Sequence, residues 1–265
     1  MTQKLLLALL GLAAVGTATT RAQAPAAAPA APTPSFTVTG TATAVSQYMF
    51  RGQRLGGPSW EPAVELGAGD LTVGLWSNLP FKDKVANSSD PELDLYGSYA
   101  FNVTKDISIV PGFTFYDYPS APTNQGYYRS TFEPSVALNY TIAGVKLTPK
   151  YYYDMVLRGP TYELVGAYAL PLKDLGTELD FTGQIGTYIQ RDVTNNGSPR
   201  SKAWGDYWLL GVAAPFQITK DSKLSVGFAY TEGRNASYKT GNQPKTGNPY
   251  AVGRGVVTIS YGYAF

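Results

Sequence analysis

From Ser35 onward the chain repeats one pattern: stretches of about ten residues in which apolar and polar side chains alternate, broken by clusters of Gly, Asn, Pro and Asp. A period of two puts successive side chains on opposite faces of a strand, so each stretch carries one apolar and one polar face. About twelve such strands fit, over 36–50, 59–68, 71–80, 92–103, 107–118, 127–141, 145–157, 162–172, 177–190, 203–218, 223–231 and 252–265. The connections alternate too. Those after the second, fourth, sixth, eighth and tenth strands are short: Gly69-Asp70, Thr104–Asp106, Ala143-Gly144, Lys173–Gly176 and Thr219–Ser222. Those after the first, third, fifth, ninth and eleventh are longer and rich in Gly, Asn, Ser and Pro; Arg158–Thr161, after the seventh, breaks the rule. Short turns at one end and long loops at the other characterise an outer-membrane barrel, and a soluble β-sandwich has no reason to show them. The expected fold is all-β, a transmembrane antiparallel up-and-down barrel with both ends of the even-stranded sheet on the periplasmic side.

Individual strands carry the same message. In the last one Val257, Ile259, Tyr261, Tyr263 and Phe265 form one face, and Val256, Thr258, Ser260, Gly262 and Ala264 the other. Backbone groups in lipid must all be paired, so the sheet has to close. Aromatic rings gather near strand ends, where a ring touches lipid while its polar tip reaches water. Tyr48, Phe50, Trp60, Phe115 and Trp204 form the expected outer belt; Phe36, Tyr140, Phe216, Tyr263 and Phe265 form the inner one. The partners implied are outer-membrane lipid and, through Tyr261, Tyr263 and Phe265 as an assembly signal of the kind outer-membrane proteins carry, the barrel-assembly machinery.

Residues 1–22 read as a signal peptide, with Lys4 before a short apolar run from Leu5 to Val15 and cleavage after Ala22 or Ala24. The run is too short to span a membrane as a helix. Residues 23–35, rich in Pro and Ala, read as a periplasmic spacer, and 36–265 as the barrel. Losing Lys4 and Arg21 with the leader takes the formal charge from +2 to 0, which argues against nucleic acid as a partner.

The chain has no His and no Cys. Nothing in it titrates near neutral pH unperturbed, so the chemistry of a hydrolase or acyltransferase lacks its usual base, and the chain is read as a non-enzyme. A zinc or transition-metal site lacks its usual ligands. Asp90–Asp94 is acidic but lacks the Gly and the spacing of a calcium loop, and reads as a solvated loop and strand start. No phosphate-binding or dinucleotide fingerprint occurs. No cofactor and no metal are expected.

Parity assigns an inward face. Its acids are Glu61, Glu65, Glu92, Asp94, Glu133, Asp154, Glu163, Glu178 and Asp180; its bases are Arg51, Arg129, Lys146, Lys150 and Arg254. Interior charges require water or ion pairs. Twelve strands tilted by about 40° give a backbone diameter of roughly 24 Å and a lumen of about 10 Å or less. The expected function is passive passage of small solutes or ions with a mild cation preference. The alternative is a non-conducting barrel that serves structure, adhesion or binding through loops 81–91, 191–202 and 232–251.

Three segments carry a family likeness: Ser46–Gly52 (SQYMFRG), Gly74–Asn78 (GLWSN) and Glu92–Gly97 (ELDLYG). In this order they resemble the TorF-type porin family of outer-membrane proteins, also called Gcw_chp. The resemblance covers the N-terminal third; the rest agrees as strands with a final Phe. It implies an outer-membrane barrel assigned to transport. By direction of travel all three segments sit at the outer mouth, where parity turns Tyr48 and Phe50 to lipid and Arg51 to the lumen. Arg51 is then expected to pair with Glu61, Glu92 or Asp94.

Overall fold

The computed structural model describes residues 36–82, 91–121, 123, 128–191, 202–234 and 253–265. The leader and spacer read over 1–35 lie outside these residues, as do most of the three long loops assigned to binding.

The first part of the chain forms β1 (Phe36–Val45), β2 (Tyr48–Phe50), β3 (Gln53–Gly56), β4 (Ser59–Ala68) and β5 (Leu71–Pro80). Next come β6 (Glu92–Tyr99), β7 (Phe101–Asn102), β8 (Ile107–Asp117), β9 (Ser130–Ile142) and β10 (Val145–Asp154). The last part holds β11 (Gly159–Leu172), β12 (Thr177–Arg191), β13 (Lys202–Thr219), β14 (Ser222–Arg234) and β15 (Arg254–Ala264). β6 and β7 are one wall strand interrupted at Ala100, and β2 and β3 pair only with each other. The remaining strands make a closed antiparallel barrel of twelve. β1 closes it by pairing with both β15 and β4, with Thr41 opposite Gly262 on one side and Ala63 on the other. Closure leaves no unpaired sheet edge, as lipid demands. Among the described residues no helix is long and apolar enough to cross a membrane, which does not bear on crossing by strands.

The short turns follow from their residues. Gly69 at positive φ turns β4 into β5 in two residues, with Ala68 opposite Leu71. Ala143 and Gly144, both at positive φ, do the same between β9 and β10, the mirror-image turn that matches strand twist. A single 3-10 turn, Lys173–Leu175, closed by left-handed Gly176, links β11 and β12.

The wall follows the alternation. Leu75, Leu95, Leu164, Ile185, Leu210, Phe228 and Ile259 are exposed on the outside, whereas Glu61, Asp94, Thr114, Glu133, Thr161 and Ser260 are buried inside. An apolar exterior around a polar interior is a membrane barrel inverted relative to a soluble protein. Leu210, 62% exposed in the middle of β13, lies in the lipid band. Leu210→Arg is expected to lower folding stability in lipid by about 2–4 kcal/mol, read from chemical denaturation in vesicles, while Thr258→Arg on the water side costs less.

Most of the expected spans match within a few residues, and β4 and β5 match at both ends. The first strand does not. It was expected to run to Phe50 but ends at Val45, where it is already paired with Ser59 of β4. Residues 47–57 leave the wall, Ser46 N–H still donating to Val257 O and Pro58 O accepting from Phe81, and β2 and β3 form a separate small hairpin.

Candidate functional site

The hairpin turns into the lumen. Its turn is Arg51-Gly52, with φ of 48° and 73°, flanked by paired Phe50 and Gln53. Two consecutive positive-φ residues make the tight turn that favours Asn-Gly, and a left-handed Arg costs roughly 1–2 kcal/mol. Gly52 has no alternative: a Cβ there would come within 2.6 Å of the Gly233 backbone on β14 and 2.7 Å of Tyr207 on β13.

From root to tip, the hairpin meets successive parts of the wall. Tyr48 packs against Trp76 of β5 with ring centres 5.9 Å apart, and its hydroxyl donates to Glu92 Oε2 on β6 at 2.7 Å. Phe50 meets Tyr116 of β8 edge-on at 6.3 Å. Arg51 donates from Nη2 to Glu133 Oε1 at 2.5 Å and from Nη1 to Glu133 Oε2 at 3.0 Å, a two-pronged pair with β9. Its guanidinium also lies over the Tyr152 ring of β10, 5.1 Å from the centroid. Tyr48, Met49 and Glu133 are all but sealed from solvent, Met49 at 0% exposure. An extended arm of five residues reaches about 17 Å, enough to cross a lumen of roughly 10 Å. The hairpin therefore fills the lumen at the outer mouth.

This corrects two expectations. Tyr48 and Phe50 do not belong to the outer lipid belt, because the chain bends inward at Ser46-Gln47 and leaves the wall's parity behind. Arg51 pairs with Glu133 rather than with Glu61, Glu92 or Asp94, because the hairpin carries it away from those strands to β9.

The other inward candidates form tiers. Glu61, Glu92 and Asp94 lie buried beside the hairpin root, with Tyr118 also donating to Glu92 at 3.3 Å. Glu65 sits deeper on β4 and accepts from Tyr96 at 3.1 Å. Glu163 on β11 accepts from Tyr152 and Gln184, each at 2.9 Å, and from Tyr207. Asp154 holds a bend: it accepts from Thr131 at 2.7 Å and from the backbone N–H groups of Val156 and Leu157. Lys146, Glu178 and Asp180 are turned inward in the periplasmic half, and Lys150 is turned inward near mid-wall, across from Glu163. Arg129 is exposed just before β9, and Arg254 is exposed at the outer end of β15, so these two lie at the rim. Lys223 on β14 shares the inward parity and was missed, although the same alternation marks it. No three carboxylates among the described residues converge on one point as a preformed metal centre.

The tiers share a chemistry. Phenol hydroxyls of Tyr48, Tyr96, Tyr118, Tyr152 and Tyr207 hydrogen-bond Glu92, Glu65 and Glu163, whereas Glu133 is held by Arg51. A phenol satisfies a carboxylate's lone pair without cancelling its charge. At the outer mouth five acids, Glu61, Glu92, Asp94, Glu133 and Asp154, face one base, Arg51; Lys150 lies across from Glu163 near mid-wall, and the periplasmic half mixes Lys146 and Lys223 with Glu178 and Asp180.

Residues 28–257 match the family described as a bacterial protein of unknown function, Gcw_chp. The chain belongs to the Gcw_chp family. The family match extends the likeness of the N-terminal motifs across the barrel wall. No curated protein matches this Gcw_chp chain. Among solved structures, the Gcw_chp barrel is similar to the KdgM porin in complex with disordered oligogalacturonate, at 10% identity and a TM-score of 0.50, over 86% of this chain and 99% of that one. It also matches an outer-membrane channel from Pseudomonas putida F1, at 11% identity and a TM-score of 0.49, over 92% and 100% of the two chains. The NanC porin matches at 12% identity and a TM-score of 0.47, over 86% and 99%. At such identities the likeness concerns the fold alone: the Gcw_chp chain has a porin-like barrel.

Proposed function

We propose that this protein is a narrow outer-membrane channel for small solutes or ions, constricted at its outer mouth by the hairpin of β2 and β3. The observation that carries this reading is the contrast between the two halves of the lumen. The outer half is filled by the hairpin. Below it the inward positions mix short side chains such as Thr39, Thr72, Ser98, Ser135, Thr182 and Ser225 with the charged Lys146, Lys223, Glu178 and Asp180. The short side chains leave part of a lumen of roughly 10 Å unfilled, and the charges among them call for water.

The uncancelled acids at the mouth favour cations. In a salt gradient across a planar bilayer, the reversal potential is expected to have the sign of mild cation preference, and Glu61→Gln with Asp94→Asn is expected to weaken it. A reversal potential favouring anions in the parent protein contradicts the selectivity and leaves the channel reading intact.

The sealing of Met49 favours a second reading, a barrel stoppered by its own hairpin that serves structure or loop-mediated binding. Absence of conductance from folded protein supports it. Either reading places the barrel in the outer membrane after removal of a leader. Tyr261, Tyr263 and Phe265 are exposed on the lipid face at the periplasmic end, which suits recognition by the assembly machinery.

A further inference from the structure

The acids at the hairpin root have too little company for the place they occupy. The register Trp60 to Leu79 and Ala63 to Trp76 sets Glu61 across from Asn78, and Asn78 is itself paired with Glu92. These three residues form one inward row across β4, β5 and β6. One row deeper, Asp94 lies across from Trp76. Glu61, Asn78, Glu92 and Asp94 are 4%, 3%, 5% and 3% exposed. Among the described residues none of the three acids has a Lys or Arg partner, and the nearby Arg51 is engaged with Glu133. Two further oxygens are stranded: Asn78 Oδ1 and Asp94 Oδ1 are buried without a hydrogen-bond partner. Tyr48 and Tyr118 serve Glu92 alone.

Buried carboxylates are found paired, protonated or holding a cation. Here the base is missing, and a neutral amide oxygen is left unsatisfied in the same row. Protonation would supply donors to the acids and to the amide oxygen alike, and a bound cation would satisfy the same oxygens, so the response of the folded barrel to Ca²⁺ separates the two. We propose that Glu61, Asn78, Glu92 and Asp94 bind a hard, oxygen-seeking divalent cation of the calcium or magnesium class at the root of the hairpin. An all-oxygen set with no His or Cys suits that class and no transition metal. The four side chains lie in two successive inward rows rather than converging on one point, so the ion would keep part of its own water. Because Tyr48 is bonded to Glu92, the ion also ties the hairpin root to the wall.

The site is testable whether or not the lumen conducts. Terbium(III), a luminescent stand-in for calcium, would be excited through Trp76, the ring beside Asp94. The refolded barrel is expected to give saturable sensitised emission that Ca²⁺ displaces. Glu61→Gln with Asp94→Asn is expected to weaken binding by about tenfold or more, whereas Glu178→Gln with Asp180→Asn in the periplasmic half leaves it unchanged. Trp76→Phe should dim the emission, yet Ca²⁺ should still raise that variant's unfolding temperature, as ligand linkage requires. Heat-modifiable gel migration verifies folding of each variant. Emission that does not saturate, or that survives the outer double substitution, overturns the proposal. So does a parent protein whose unfolding temperature ignores Ca²⁺ while the outer double variant unfolds at higher temperature, since the acids would then be carrying protons.

Discussion

Replacing Tyr48–Gly56 with Gly-Gly is expected to raise single-channel conductance severalfold without unfolding the barrel. β1 and β4 are already paired up to Val45 and Ser59, so the wall does not need the hairpin to hold its register. The remaining loop, Ser46-Gln47, two glycines and Gly57-Pro58, is long enough to close an antiparallel pair. What disappears is the obstruction: the rings of Tyr48 and Phe50, sealed Met49, and the guanidinium reaching β9. The lumen left behind is lined by short polar side chains with Lys146, Lys223, Glu178 and Asp180 over its periplasmic half, and by Glu61, Asn78, Glu92 and Glu133 at the mouth. Recordings in planar bilayers, with gel migration as the test of folding, decide it. Unchanged conductance in a folded deletion variant would mean that the hairpin is not the narrowest point.

The second large effect concerns stability. Glu133→Ala is expected to destabilise the folded barrel by about 3–5 kcal/mol, because it strands the Arg51 charge in a site with little water. The two side chains are only 11% and 2% exposed, so the modest value of a surface ion pair does not apply. Arg51→Ala should cost a similar amount by stranding Glu133, and it keeps the left-handed backbone cost because Ala carries the same Cβ. Combining Arg51→Met with Glu133→Leu should recover most of the loss, since a matched apolar pair leaves no charge unpaired. Denaturation of the parent, Arg51→Met, Glu133→Leu and the combined variant in lipid vesicles yields the coupling energy directly. Coupling below about 1 kcal/mol would place the pair in open water and remove it as the hairpin's anchor.

Much of the wall was legible because its rules are local. Gly69-Asp70 and Ala143-Gly144 are turn residues at the only positions where the neighbouring alternation breaks, and β4 and β5 follow to the residue. Inward parity placed Glu61, Glu92, Asp94 and Glu163 for the same reason: a period of two survives as long as a strand stays in the wall. The hairpin was hidden where that premise fails. From Thr41 to Phe50 no Gly, Pro, Asn or Asp marks a bend, and nothing in Ser46-Gln47 interrupts the strand pattern. The turn that does exist uses Arg51 where Asn or Gly is usual, so Arg51-Gly52 reads as the start of a loop. Past the bend every face assignment reverses or loses meaning, which is why Tyr48 and Phe50 were turned to lipid. The Arg51–Glu133 pair was beyond reach for another reason. Its partners are 82 positions apart and meet only after the sheet has closed.

The most direct measurement is single-channel conductance of the refolded, unmodified barrel in a planar bilayer. A channel constricted by its own hairpin predicts small, discrete current steps, larger for cations than for anions, from protein whose gel migration shows it folded. Folded protein that inserts and passes no current at any voltage would contradict the channel and leave a barrel stoppered at its outer mouth.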